Sequence, residues 1–115
     1  MAQDCIFCKI ITGEIPSARL FQDETVTAFR DIHPAAPTHI LIVPNKHLAS
    51  VNDLQPQEES LVGHLITVAR QLAEQEKIEK SGYRLIINTG PDSGQVVFHL
   101  HLHLLGGQRM RYPMG

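Results

Sequence analysis

A chain of 115 residues with 43% hydrophobic and 19% charged residues can bury one core without disulfide staples, which excludes a disordered or disulfide-scaffolded polypeptide. A net charge of -2 and the lack of tryptophan provide no basic field and few stacking platforms, so nucleic acid is not an expected partner. The early acid Asp4 argues against a secretory leader and no apolar run reaches bilayer length, so one soluble, cytoplasmic domain over residues 1–115 is expected, off the membrane and with its two cysteines reduced.

Asp4 is placed to cap a short helix over residues 5–11, which Gly13 would end. Residues 18–22 and 25–30 read as two strands joined by the turn at Asp23 and Glu24. Pro34 and Pro37 stiffen the loop 31–39, and the apolar, β-branched run 39–44 reads as a buried strand. Pro56 suits a first helical position, and Leu61, Leu65, Val68, Ala69 and Leu72 recur at helical spacing, which predicts one long helix from Pro56 to about Ile78. A strand over 83–88, a glycine-rich loop over 88–95 and a last strand over 96–105 follow, and the tail 109–115 shows no element. Five strands with two segregated helices, lacking the strand–helix alternation of a parallel sheet, predict an α+β fold with an antiparallel sheet.

The last strand carries the chemistry. In "FHLHLHLLGG", alternation puts His99, His101 and His103 on one face and Leu100, Leu102 and Leu104 on the other. The leucines need a core, so the histidines line solvent or a cleft, with same-face neighbours about 7 Å apart. A polar face without function is one reading, and a zinc ion held by all three imidazoles is a second. The third is nucleophilic catalysis, in which a neutral imidazole attacks phosphorus while flanking imidazoles and loop N–H groups neutralise phosphate charge. Asn88, Gly90, Ser93 and Gly94 form such a loop just upstream, although Pro-Asp-Ser-Gly is also an ordinary turn. Cys5 and Cys8 have half of a zinc-knuckle spacing; a redox pair and two buried thiols are the rival readings.

The run His-Leu-His-Leu-His-Leu-Leu over residues 99–105 resembles the signature of the histidine-triad (HIT) family. "CIFCKIITGEIPS", "FRDIHPAAPTHILIVPNKH", "GYRLIINTGPDSGQ" and the ending "HLLGGQRMRYPMG" resemble its Hint, or protein-kinase-C-inhibitor-like, branch, so the likeness covers nearly the whole chain. The resemblance implies a HIT fold that dimerises by joining sheets, and a purine nucleoside phosphoramidase. Such an enzyme would hydrolyse the P–N bond of adenosine 5′-monophosphoramidates through a covalent nucleotidyl-histidine, without a catalytic metal. It implies His101 as nucleophile, His103 as the group that contacts phosphate and assists the departing amine, and His39 as their support. Asp31 would take the ribose hydroxyls. Asn88, Gly94 and Gln95 would hold phosphate or sugar oxygens, and Ile32, Phe7, Ile6, Phe29 and Leu41 would form the purine slot.

Two details depart from a uniform family pattern. Many Hint members have serine where this chain has Val96, which offers only its backbone N–H and is expected to alter rate or leaving-group preference. Some bacterial members carry the cysteine pair with structural zinc, and the matching ligands here are Cys5, Cys8, His47 and His99. His33 and His64 are read as surface or structural residues. A dinucleoside polyphosphate hydrolase and a nucleotide-binding regulatory or scaffold protein are the alternative functions. The Hint-like ending argues against the first and the intact triad against the second.

Overall fold

A computed structural model describes residues 4–112; the last three residues of the expected tail, 113–115, lie outside the described residues, as do 1–3. The elements run α1 (Ile6–Thr12), β1 (Arg19–Gln22), β2 (Val26–Arg30), β3 (Thr38–Pro44), α2 (Glu59–Gln75), β4 (Tyr83–Ile86) and β5 (Leu102–Gly106). The strands form one sheet in the order β1-β2-β3-β5-β4, with every neighbouring pair antiparallel. The α+β architecture with one long and one short helix is therefore the one the pattern predicts.

β3 is the central strand and is buried along its whole length, which is why it reads as an unbroken apolar run. Ile40 and Ile42 face α2, where they join Val26, Ala28, Leu65, Val68, Ala69, Leu72, Leu100, Leu102 and Leu104 in the main core. Leu41 and Val43 face the other way and pack with Phe29 beneath Phe7 and Ile10 of α1. Cross-strand partners in an antiparallel pair share a face, so the registers Leu41–His103, Ile40–Leu104 and Ile42–Leu102 fix the split. The odd-numbered histidine belongs to the α1 face and the even-numbered leucines to the α2 face.

The helix boundaries differ from expectation. The α1 cap is Cys5 rather than Asp4: Cys5 has extended backbone angles, and its sulfur accepts the Cys8 N–H at 3.4 Å. Gly13 ends α1 in the left-handed conformation, φ 86°, as expected. Pro56 opens a single 3-10 turn, Pro56–Glu58, with Glu58 accepting the Gln55 N–H, and the α-helix begins only at Glu59. α2 stops at Gln75, because Lys77 turns left-handed at φ 61° and sends Ile78 back into the core. Arg30 clamps Glu76 through two bonds of 2.9 and 2.8 Å, and His64 meets Asp23 at 2.6 Å, so α2 is tied to β2 and to the β1–β2 turn.

The last strand is shorter than the alternation suggests. Its ladder covers Leu102–Gly106, and residues 96–101 run without regular pairing. The register with β3 ends at Ile42–Leu102. Beyond it Pro44 has no N–H to give, and its carbonyl is taken by the His99 side chain at 2.8 Å. The two glycines that end the strand and follow it serve different needs. A Cβ on Gly106 would lie 2.5 Å from Ile78 Cδ1, whereas Gly107 has φ +91° and would press a Cβ within 2.9 Å of Pro37.

Candidate functional site

The seven-residue helix α1 is too short to persist alone, and it is held by what it covers. Phe7 packs edge-on against three rings: Phe29 at 5.4 Å, His99 at 5.9 Å and His101 at 5.1 Å between centroids. The histidine face is therefore walled rather than open. His99 is 0% exposed and His101 is buried, while His103 is half-buried.

Backbone carbonyls accept and never donate, so they settle which ring nitrogens carry protons. His101 Nδ1 lies 2.6 Å from the His99 carbonyl and donates to it, which leaves Nε2 with a free lone pair. That is the tautomer a nucleophile needs. His39 Nδ1 accepts the Ala35 N–H at 3.0 Å, so its proton sits on Nε2, 2.9 Å from His103 Nδ1. His103 consequently carries its proton on Nε2. This nitrogen is buried and has no partner among the described residues. A free lone pair on His101 and a free N–H donor on His103 stand side by side, with ring centroids 4.9 Å apart.

Burial keeps His103 and His39 neutral. It pushes the His103 pKa down to about 4, helped by the neighbouring His101 and His39 imidazoles. Burial also lowers His39, against the opposing pull of Asp31, whose Oδ2 is 3.5 Å from Nε2. At neutral pH His103 therefore acts as a hydrogen-bond donor rather than as an imidazolium.

The remaining triad member faces elsewhere. His99 Nε2 donates to the Pro44 carbonyl, so Nδ1 can only accept. Around it stand Cys5 Sγ at 3.3 Å, Cys8 Sγ at 3.5 Å and His47 Nδ1 at 3.1 Å, and Cys8 Sγ is 3.3 Å from His47 Nδ1. Tetrahedral ligands on zinc, at about 2.3 Å for sulfur and 2.0–2.1 Å for nitrogen, stand roughly 3.3–3.8 Å apart. Those four separations, 3.1–3.5 Å, are at or just under that spacing, all four atoms lie within 4.8 Å of one another, and the Cys8 N–H on Cys5 Sγ is the kind of outer bond that steadies a metal thiolate. The cluster could hold a divalent metal. Burial pushes the Cys8 thiol up to about 11, and the hydrogen bond and charge of Cys5 add to this. Metal binding would therefore release its proton.

The other expected site residues separate into groups. Asp31 lies at the end of β2 beside His39 and accepts the His33 N–H at 2.8 Å, and Ile32 next to it is 80% exposed. Phe29, Leu41 and Phe7 are buried together below this corner, so they form a floor rather than an open wall. Ile6 lines a different cavity of about 440 Å³, with Val96, Phe98, Ala49 and His47, and Val96 stands 82% exposed there. Asn88 is half-buried, just past β4.

The glycine-rich loop, with Gly94 and Gln95 expected at phosphate or sugar oxygens, makes many of its own hydrogen bonds. Gly94 N–H donates to the Pro91 carbonyl at 3.0 Å and Gln95 N–H to that of Gly90 at 3.3 Å. The buried Gln95 amide accepts the Gly90 N–H and donates to the Ala49 and Val97 carbonyls. Both residues shape the loop. The acceptors at Pro44 and His99 and the donor at Ala35 were invisible in the sequence, because they are main-chain groups. Phe7 was expected in a purine slot, and its stacking on His101 had no signal beyond its place beside the cysteines.

The chain matches the family model described as HIT domain over residues 12–110. It is 56% identical over 115 residues to the purine nucleoside phosphoramidase of Escherichia coli, covering 100% of this chain and 93% of that protein. A HIT family hydrolase from Legionella pneumophila superposes with a TM-score of 0.93 at 48% identity, covering 96% of this chain and 99% of that one. One from Clostridium thermocellum gives 0.94 at 45% identity, covering 97% of each.

Proposed function

The chain belongs to the HIT domain family, and on that premise we propose that it is a purine nucleoside phosphoramidase working through a nucleotidyl-His101 intermediate. The observation that carries this reading is the pair of tautomers: His101 with Nε2 unprotonated and His103 with Nε2–H unpaired, side by side. In the proposed reaction His101 Nε2 attacks the α-phosphorus. The P–N bond breaks and its electron pair leaves with the amine, which takes a proton from solvent. Water then attacks the same phosphorus and releases a proton to solvent, the P–His101 bond breaks with its electron pair returning to Nε2, and the nucleoside 5′-monophosphate departs. The His101 Nδ1–H bond to the His99 carbonyl stabilises the positive charge that the ring acquires as it becomes phosphorylated.

His103 Nε2–H would donate to a phosphoryl oxygen or to the departing nitrogen, with His39 locking its tautomer. Asp31 would accept the ribose hydroxyls. Ile32 and Ile6 would flank the purine and its approach, above the floor of Phe7, Phe29 and Leu41. Asn88 and the Val96 N–H would supply phosphate donors, within a loop whose shape Gly94 and Gln95 maintain. Cys5, Cys8, His47 and His99 would hold structural zinc. A second copy would join through β4, an edge strand of the sheet. No helix among the described residues is long and apolar enough to cross a membrane.

The test is chemical trapping. Protein mixed with radiolabelled adenosine 5′-monophosphoramidate and quenched in alkali should retain label on His101, and His101→Ala should retain none. Normal turnover by His101→Ala would overturn the assignment. Preferential cleavage of a diadenosine polyphosphate would move the enzyme to the other hydrolase class.

A further inference from the structure

We propose that the Cys5–Cys8–His47–His99 cluster, when it holds a divalent metal, is a positioning device for the nucleophile and acts through the two ends of His99. This rests on the reading of His101 as nucleophile. The side chain of His99 faces the two thiols and His47, and its main-chain carbonyl holds His101 Nδ1 at 2.6 Å. One residue thus joins the metal cluster to the atom that sets the nucleophile's tautomer.

The surrounding backbone makes that link consequential. Residues 96–101 lie outside the sheet ladder, which begins at Leu102. The nucleophile sits one residue before the ladder and is not held by strand pairing. This stretch is held by the His99 side chain, through Pro44 and the cluster, by the Leu100 N–H bond to the Leu48 carbonyl at 2.6 Å, by the Gln95 amide on the Val97 carbonyl and by the buried Leu100 side chain. Leu48 directly follows the ligand His47, so the bond links segments that the metal also joins.

A second route runs through α1. Cys5 and Cys8 fasten this helix to His99, and Phe7 between them lies edge-on to both the His99 and His101 rings. Metal binding would therefore lock three segments around the nucleophile: α1, the segment after β3 and the segment before β5. The ribose contact proposed for Asp31 and the phosphate contact proposed for Asn88 lie on other segments, whereas Ile6, Phe7 and Val96 lie on the locked ones. Loosening the cluster should thus lower kcat through His101 and raise KM as well, and the His101 tautomer is the readout that isolates the coupling.

The experiment compares four forms of the full chain: zinc-loaded wild type, chelator-treated wild type, the latter reloaded with zinc, and Cys8→Ser. Cobalt loading should produce the absorption of a tetrahedral thiolate site in wild type and lose it in Cys8→Ser. Nitrogen-resolved NMR of the imidazoles should show His101 held in the Nδ1–H tautomer when metal is bound and exchanging between tautomers when it is removed. Turnover of adenosine 5′-monophosphoramidate should fall on the order of 10–100-fold in kcat on metal removal, the range typical of losing an outer-shell partner, with recovery on reloading. Thermal melting keeps Cys8→Ser interpretable, and the chelated wild type carries the test should that variant fail to fold.

Absence of metal binding by wild type would overturn the proposal. Unchanged kcat and His101 signals after metal removal would overturn it equally. Global unfolding of the chelated protein would also do so, because the cluster would then be a folding clamp. The NMR and cobalt readouts need no turnover: a tautomer that follows the metal in a protein that cleaves no phosphoramidate would sink the reaction assignment and leave the coupling standing.

Discussion

The two faces of the sheet are built on different terms. The α2 face is covered by a 17-residue helix and carries a continuous apolar core that includes Leu100, Leu102 and Leu104. The α1 face is covered by seven residues, has a small apolar cluster, and shares its space with the five imidazoles of His39, His47, His99, His101 and His103 and with two thiols. One extended stretch, residues 99–105, serves both through alternation: its leucines contribute to stability and its histidines to chemistry. Stability therefore concentrates where nothing reacts, and the reactive face is held by directional bonds.

The sharpest way to separate the faces is to substitute neighbours on the same extended stretch. His101→Ala should lower phosphoramidate turnover by at least about 10⁴-fold, the scale of losing a covalent nucleophile, while the melting temperature stays near wild type. A steady-state assay beside a thermal melt reads both. Leu104→Ala, three residues on, should do the reverse. It should cost about 2–5 kcal/mol in denaturant unfolding, because a fully buried side chain leaves a cavity, and folded protein should still label His101. If Leu104→Ala abolished labelling in folded protein, the division between faces would be wrong.

Smaller effects sharpen the picture. Gly107→Ala should destabilise by about 1–3 kcal/mol, since a left-handed residue gains a Cβ pressed against Pro37; urea titration measures it. On the histidine face acid should act through His103. The folded pKa of His103 lies near 4, below the ordinary 6.5, so the unfolded chain binds more protons between those values. The stability contributed by keeping His103 neutral is present above about pH 6.5 and is lost as pH falls towards 4. Wild type should therefore lose about 1–2 kcal/mol more than His103→Gln over that interval, after allowance for solvent screening. Equal slopes for the two proteins would show that burial does not hold this ring neutral.

The leucine face was fully legible in the sequence, because period-two apolar residues have one use on a half-buried strand. The spacing of Cys5 and Cys8 was legible too, but by itself it allowed a metal, a redox pair or two buried thiols. Less legible was where pairing stops. An extended chain keeps its alternation with or without a neighbour, so residues 96–101 looked like strand and are not, although Leu100 still faces the core. The α1 cap was misread for a related reason: Asp4 is the better capping residue by type, but Cys5 has the extended backbone. The proton positions on His39, His99, His101 and His103 depend on partners brought in by the fold. No side-chain motif could reveal those of the three set by the Ala35, Pro44 and His99 backbone groups.

The paired glycines that close the histidine strand would respond differently to a second substitution. The obstacle at Gly106 is the tip of one flexible side chain, so Gly106→Ala should be repairable by trimming Ile78 to valine. The obstacle at Gly107 lies mainly in its own torsion angle, and no change at Pro37 removes that. Of two adjacent identical letters, one can be suppressed genetically and the other cannot. A suppressor screen would therefore tell a packing requirement from a backbone requirement.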